Sequence, residues 1–329
     1  MRDPYLYPGT ETLINHLGIQ DSNKLQDLEN AFYRVRLAEP LPVGDFDYDH
    51  LKAIHQHLFS DLYAWAGQER TVDIIKGHSH FARKEFISKE LNKVFVQLKS
   101  DNYLQGLEYS DFCKKFSYYF NEINAAHPFR EGNGRTLRAF CDSLAENAGY
   151  HLDWSRVTTP EYIQANIAGF NADYEAMETI FKKITSLLDR SRTLETTNIA
   201  ISKDTAEQLK EYVDKQIQLT ELVRQKNQFL VQDPELAKRF SQQAIALNQE
   251  LKGIAKELTD KSDTQNLLKQ TQIVSLQKQG GFAVIHERFQ KNEMAAQDVL
   301  TVLRYAKGQA AMLSQSLNKT QDQGKRRHL

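Results

Sequence analysis

Seven prolines stand in these 329 residues, and each falls at the edge of a helical pattern rather than inside one: Pro4, Pro8, Pro40, Pro42, Pro128, Pro160 and Pro234. Proline removes a backbone donor and clashes with the preceding helical turn, so this placement leaves long stretches free to be helix. Over 23–39, Leu25, Leu28, Ala31, Phe32 and Val35 recur at helical spacing, and over 47–59 Leu51, Ile54, His55 and Leu58 share one face. The pattern resumes over 83–100, 110–124, 135–148 and 159–188, the last holding one or two helices. Only 69–82 reads otherwise. There Val72, Ile74 and Ile75 precede Lys76-Gly77, and Phe81 follows, which predicts a short β-hairpin. An all-α domain with a small β-hairpin flap is therefore expected over 1–195, with the aromatic, proline-containing residues 1–20 lying across it.

The rest of the chain has a different texture. One proline, few aromatics and many Gln, Lys, Leu and Ala predict several long amphipathic helices over 205–317, packed as a bundle or coiled-coil-like hairpin. Leu219, Leu222, Val223, Phe229 and Leu230 keep a helical phase, and Gly280-Gly281 marks a break. A linker is expected at 196–204 and a loose basic tail at 318–329, where Lys325, Arg326 and Arg327 cluster. From Lys203 onward 20 Lys and Arg face 15 Asp and Glu, yet the whole chain has a formal net charge of -1. That balance provides no field to draw the chain onto nucleic acid or a membrane surface. No apolar stretch approaches the ~20 residues that cross a bilayer, and the N-terminus has no apolar leader core. A cytoplasmic location follows as an expectation. Cys113 and Cys141 have no framework spacing and are expected to be buried thiols.

The chemistry is concentrated in His127-Pro128-Phe129-Arg130-Glu131-Gly132-Asn133-Gly134-Arg135 and the following Arg138. The segment leaves one helix and enters another through a Gly-rich turn, and free N–H groups at such a helix start bind anionic oxygens. Arg135 and Arg138 add donors matched to phosphate. Glu131 is a hard oxygen ligand of the kind Mg²⁺ takes alongside phosphate oxygens. His127 titrates where a base for a hydroxyl nucleophile is needed. Each residue alone has a bland explanation: a structural His beside Pro, or a simple helix start. Their joint order does not.

That order matches HPFx[D/E]GN[G/K]R at every position, and the chain resembles the Fic family, whose members transfer AMP from ATP to protein hydroxyls. The resemblance extends to 3–19 (DPYLYPGTETLINHLGI) and to Trp65-Ala66-Gly67, Arg70, Val72, Ile74, Lys76-Gly77 and Phe81-Ala82, covering roughly 3–190. It implies that His127 deprotonates the target hydroxyl and that Glu131 holds Mg²⁺. It implies that Gly132, Asn133 and Gly134 line the anion hole, that Arg135 and Arg138 neutralise the outer phosphates of ATP, and that Phe129 anchors the loop. The flap residues Val72, Ile74, Ile75, Lys76 and Gly77 would dock an extended target segment by strand addition. Relatives that resemble Doc-type kinases carry Lys at the position of Gly134, so AMP transfer is favoured over phosphotransfer. A catalytically silent helical binding module is the other alternative.

Fic enzymes are commonly restrained by a glutamate from an [S/T]xxxE[G/N] helix. The chain has no match, since Leu25 precedes Glu29-Asn30 and Asp142 precedes Glu146-Asn147. The resemblance therefore implies a small separate antitoxin that supplies the glutamate to Arg138. It also implies a bacterial toxin or effector, with 205–329 serving interaction or delivery into a recipient cell through type IV secretion machinery. The paired histidines His55/His57 and His78/His80 are not expected to bind metal, because i and i+2 diverge on a helix and no further ligand keeps them company. His55 is expected to be half-buried.

Overall fold

The computed structural model describes residues 3–39, 41–76, 79–187, 201–268, 281–291, 298–307 and 309. Contacts divide the chain into two units, Met1–Ser22 with Leu41–Ser191, and Asn23–Pro40 with Arg192–Leu329. The division is not a single cut in sequence. Helix α1 (Ser22–Ala38) clusters with the C-terminal helices, although the sequence places it beside the helices that follow it.

The first unit is helical around one aromatic core. Helix α2 (Tyr48–Phe59) starts at Asp47, whose side chain accepts from the His50 N–H, the usual work of an Asp N-cap. The flap follows as β1 (Ile75–Lys76) and β2 (Ser79–His80), antiparallel with Ile75 opposite His80. Then come α3 (Ile87–Ser100), α4 (Tyr109–Ala126) and α5 (Asn133–Ala148). Strand β3 (Tyr150–Leu152) leads to α6 (Thr159–Phe170), which opens on a capping box between Thr158 and Glu161 with Pro160 in its first turn. Helix α7 (Glu175–Ile184) runs into β4 (Thr185–Leu187), antiparallel to β3. The all-α fold with its hairpin is as expected, and the β3–β4 pairing is an addition. The core is Phe112, Phe116, Phe120, Phe140 and Phe181, all within 1% of full burial. Cys113 and Cys141 are buried and unpaired, and burial raises both thiols above their ordinary pKa.

The second unit centres on two 27-residue helices, α8 (Lys203–Phe229) and α9 (Pro234–Asp260). Gln208 meets Glu257 and Lys215 meets Glu250, so the pair runs antiparallel. Asp233 caps α9 by accepting from the Leu236 N–H, with Pro234 at its first position. Helices α10 (Ser262–Leu268) and α11 (Gly281–Gln290) follow, and 298–307 is also helical. Leu209, Val213, Leu219, Leu251, Ala255, Ile285, Val299 and Leu303 make the core. Helix α1 joins it through Asp27, paired with the buried Lys252 at 3.3 Å, and through Phe32, whose ring lies under Lys226 Nζ. Gly280 and the tail over 318–329 lie outside the described residues, as does most of the 196–204 linker. No helix among the described residues is long and apolar enough to cross a membrane.

Candidate functional site

Helix α4 ends because Ala126 is followed by a residue turned into the left-handed region and then by proline. That residue is His127, with φ 48° and ψ 62°, a conformation non-glycine residues seldom adopt. Its N–H still closes the last turn onto Ile123. The residue is 7% exposed, and its imidazole Nδ1 lies 3.3 Å from the Asn124 carbonyl. A carbonyl only accepts, so this contact places the proton on Nδ1 and leaves Nε2 as the basic nitrogen. Phe81, just beyond the flap, stacks on the ring at 3.7 Å and fixes its plane.

The loop from Pro128 to Gly132 has no regular hydrogen bonding of its own, so side chains and neighbouring backbone supply its partners. The Asn133 side chain brackets Phe129, accepting from its N–H at 2.8 Å and donating to its carbonyl at 2.6 Å. Sequence reasoning placed Asn133 in the anion hole. Its side chain closes the loop, and its backbone opens α5. Phe129 is fully buried, as an anchor must be, and stacks on His55 at 3.8 Å. His55 is fully buried rather than half-buried. It accepts from the Gly67 N–H on Nδ1 (2.8 Å) and donates from Nε2 to the Glu131 carbonyl (3.0 Å). Burial holds it neutral, with its pKa lowered to about 4. With both nitrogens on backbone partners, it has none for a metal. Arg130 ties the loop to the N-terminal segment by donating from Nε to Asp3 at 2.9 Å.

At the start of α5, Gly132 is the N-cap with φ 82°, and a Cβ there would come within 2.5 Å of the Phe59 ring. Both facts demand glycine. Having no side chain, Gly132 leaves the first turn of α5 uncapped, and the helix presents its positive end outward. Gly134 sits in that turn, and a Cβ added to it meets nothing nearer than Arg138 Nη1 at 3.7 Å. Arg135 lies over Phe59 and 3.6 Å from the Glu131 carboxylate, and Arg138 lies over Tyr162. Glu131 Oε1 also accepts from the Gly132 N–H. An uncapped helix start, two guanidinium groups and one carboxylate form a donor set that fits a polyphosphate with a hard divalent cation. Behind Arg138, burial raises the Asp142 carboxyl to about 7, although Trp154 donates to it at 2.7 Å.

Of the predicted flap residues, Ile74 is buried, Ile75 is 58% exposed and the Lys76 backbone pairs with Ser79. Val72 is half-buried, and Gly77 lies outside the described residues. The residue that joins flap to loop is Arg70, which sequence reasoning cited only as part of a family pattern. Its Nε donates to the His127 carbonyl at 2.8 Å, and Nη1 donates to Val72 at 2.7 Å. Only the one-residue signal of an arginine between Gly67 and the hairpin pointed to it. The depth of His55 was hinted at by its place on the apolar face of α2.

Fold and site together define a helical domain in which a glycine-capped helix start and two arginines lie beside a buried histidine at the roots of a hairpin. The Fic/DOC family model matches residues 45–145. Protein adenylyltransferase VbhT of Bartonella schoenbuchensis is 42% identical over 55% of this chain and 38% of its own length, so the chain spans well under half of that relative. "Probable protein adenylyltransferase y4lH" of Sinorhizobium fredii is 41% identical over 53% of this chain and 91% of its own length. Among solved structures, the N-terminal Fic domain of a VirB-translocated effector of Bartonella quintana, with bound ADP, superposes with TM-score 0.54 at 32% identity. That match covers 56% of this chain and 95% of the domain. The chain belongs to the Fic/DOC family.

Proposed function

We propose that this chain is a protein adenylyltransferase that moves AMP from ATP to a Tyr, Thr or Ser hydroxyl of a protein target. The single observation that carries the reading is the pairing of His127, its basic Nε2 oriented by the Asn124 carbonyl, with the uncapped start of α5 and its two arginines. The His127 Nε2 takes the target's hydroxyl proton as the oxygen attacks the α-phosphorus. The bond from that phosphorus to the bridging oxygen breaks, and pyrophosphate leaves with its charge met by Arg135, Arg138 and the α5 N–H groups. Glu131 would hold Mg²⁺, which supplies charge neutralisation on the phosphates. Gly132 gives the close backbone approach, and the missing side chain at Gly134, where a Cβ would lie 3.7 Å from Arg138 Nη1, leaves that guanidinium accessible to the outer phosphates. A target segment would lie along the flap by strand addition, its register set beside His127.

Two partners belong to the same reading. One is a small antitoxin that places a glutamate on Arg138, supported by the absence of such a motif in this chain. The other is type IV secretion machinery, supported by likeness to a translocated effector domain. The reaction is tested with ATP labelled at either the α- or the γ-phosphate. Label on protein from the α-position alone establishes AMP transfer, and label from the γ-position alone replaces it with phosphotransfer.

A further inference from the structure

Arg70 lies outside the HPFREGNGR motif, yet its guanidinium is fully enclosed, with 0% side-chain exposure. It donates to four backbone carbonyls: His127 (2.8 Å), Val72 (2.7 Å), Ala126 (3.3 Å) and Ala82. Its own N–H donates to the Pro128 carbonyl at 2.8 Å. Asp73 is the neighbouring carboxylate, 3.8 Å from Nη1. The four acceptors are not a random set. Val72 enters the hairpin and Ala82 leaves it, so two carbonyls come from its two roots. Ala126 and His127 end α4, where helix carbonyls lack helical partners and the dipole favours a cation. The Ala82 N–H adds a further strut, donating to Ala125 at 3.1 Å.

We infer that Arg70 is a positioning residue that locks both roots of the flap to the backbone of His127, so that the surface receiving the target and the catalytic base move as one body. This rests on the adenylyltransferase reading for its consequence, though not for its geometry. His127 is held at φ 48°, and the Arg70 Nε bond fixes the carbonyl of that same residue. Backbone in such a region persists only where its surroundings over-determine it. A planar fork with five donors reaches four carbonyls in different directions, and a lysine ammonium does not. A target strand seated on the flap would then find its hydroxyl at a constant distance from the His127 imidazole, where an error of about 1 Å costs roughly 100-fold in rate.

Two measurements on the full chain decide it. In the wild-type protein, native-state hydrogen exchange reads the amides of Arg70, Ala82 and His127, bonded to Pro128, Ala125 and Ile123. They should share one opening event with the same denaturant dependence, while the Phe81 amide, bonded within the hairpin to Ile74, opens on its own. Independent opening of Ala82 and His127 would overturn the lock, whether or not any transfer is seen. The second measurement uses Arg70→Lys. Affinity for ATP, titrated with Mg²⁺ present, should stay within about two-fold, while kcat/KM for the protein target falls about 100-fold. Loss of exchange protection should be confined to 72–76, 79–82 and 126–127. Full transfer by Arg70→Lys, or protection lost evenly across the first unit, would reduce Arg70 to an ordinary core residue. A wild-type protein that transfers no AMP would defeat the adenylyltransferase reading alone, and the exchange result would still stand or fall separately.

Discussion

Both units bury polar side chains, but they spend them differently. In the first unit, Arg70, His55 and Asn133 bond backbone groups of a loop with no regular structure. In the second, Tyr212 and Gln216 both donate to Gln309, which donates to Asn248, and Arg288 pairs with Asp298. Helices satisfy their own backbones, so polar groups between them have only each other as partners, and such contacts serve to fix helix register. An irregular loop such as 128–132 cannot satisfy its own backbone, and side chains must do it. Polar burial around the loop therefore fixes the shape of the candidate site, whereas in the long-helix unit it specifies packing.

The contrast breaks or sharpens under substitution. The largest effect is expected at His127, the proposed base. His127→Ala should lower AMP transfer by about 10²–10⁴-fold, with ATP affinity unchanged and cooperative unfolding retained, as measured by titration and calorimetry. Next is the loop support. His55→Leu strands the Gly67 N–H and the Glu131 carbonyl, and denaturant unfolding of the first unit should register a loss of about 2–4 kcal/mol. Tyr212→Phe in the second unit removes one hydroxyl from a network whose members can re-pair. It should cost about 0.5–1.5 kcal/mol and leave the transfer rate unchanged. An equal or larger loss for Tyr212→Phe than for His55→Leu would erase the distinction between the two kinds of burial.

The smallest effect is a pH dependence. Asp142 faces Arg138 and Glu146, and burial raises its carboxyl to about 7. The folded state thus holds a proton that the unfolded chain, with an ordinary carboxylate, has released. Stability from this group is full below the unfolded pKa and falls as pH rises towards 7. The melting point of Asp142→Asn should therefore stand further above wild type at pH 8 than at pH 5, by about 2–4 °C or more. A difference between variant and wild type that is the same at both pH values would show that the carboxyl is not protonated in the folded protein.

Much of this was legible in the residues, for identifiable reasons. Helices α2 to α7 follow apolar repeats long enough to set a phase, and Pro160 and Gly149 mark ends that the structure keeps. The motif was legible because a base, a carboxylate, two glycines and two arginines lie within twelve residues. The pairing of β3 with β4 was not, since three-residue strands give no alternation to read and their partners stand more than thirty residues apart. Nor was the clustering of α1 with the C-terminal helices, which rests on long-range contacts such as Asp27 with Lys252. The start of α5 at Asn133 rather than 135 depends on Gly132 adopting a left-handed φ beside Phe59, a packing fact. Arg70 was hardest of all: its partners are carbonyls, which every residue carries.

The central claim is that His127 and the α5 start carry out AMP transfer to protein. Intact-mass spectrometry of proteins incubated with the wild-type chain, ATP and Mg²⁺ tests it most directly, with His127→Ala alongside. The account predicts an AMP-sized increment on a protein with the wild-type chain and none with the variant. A phosphate-sized increment, or an AMP-sized one that persists undiminished in His127→Ala, would contradict it.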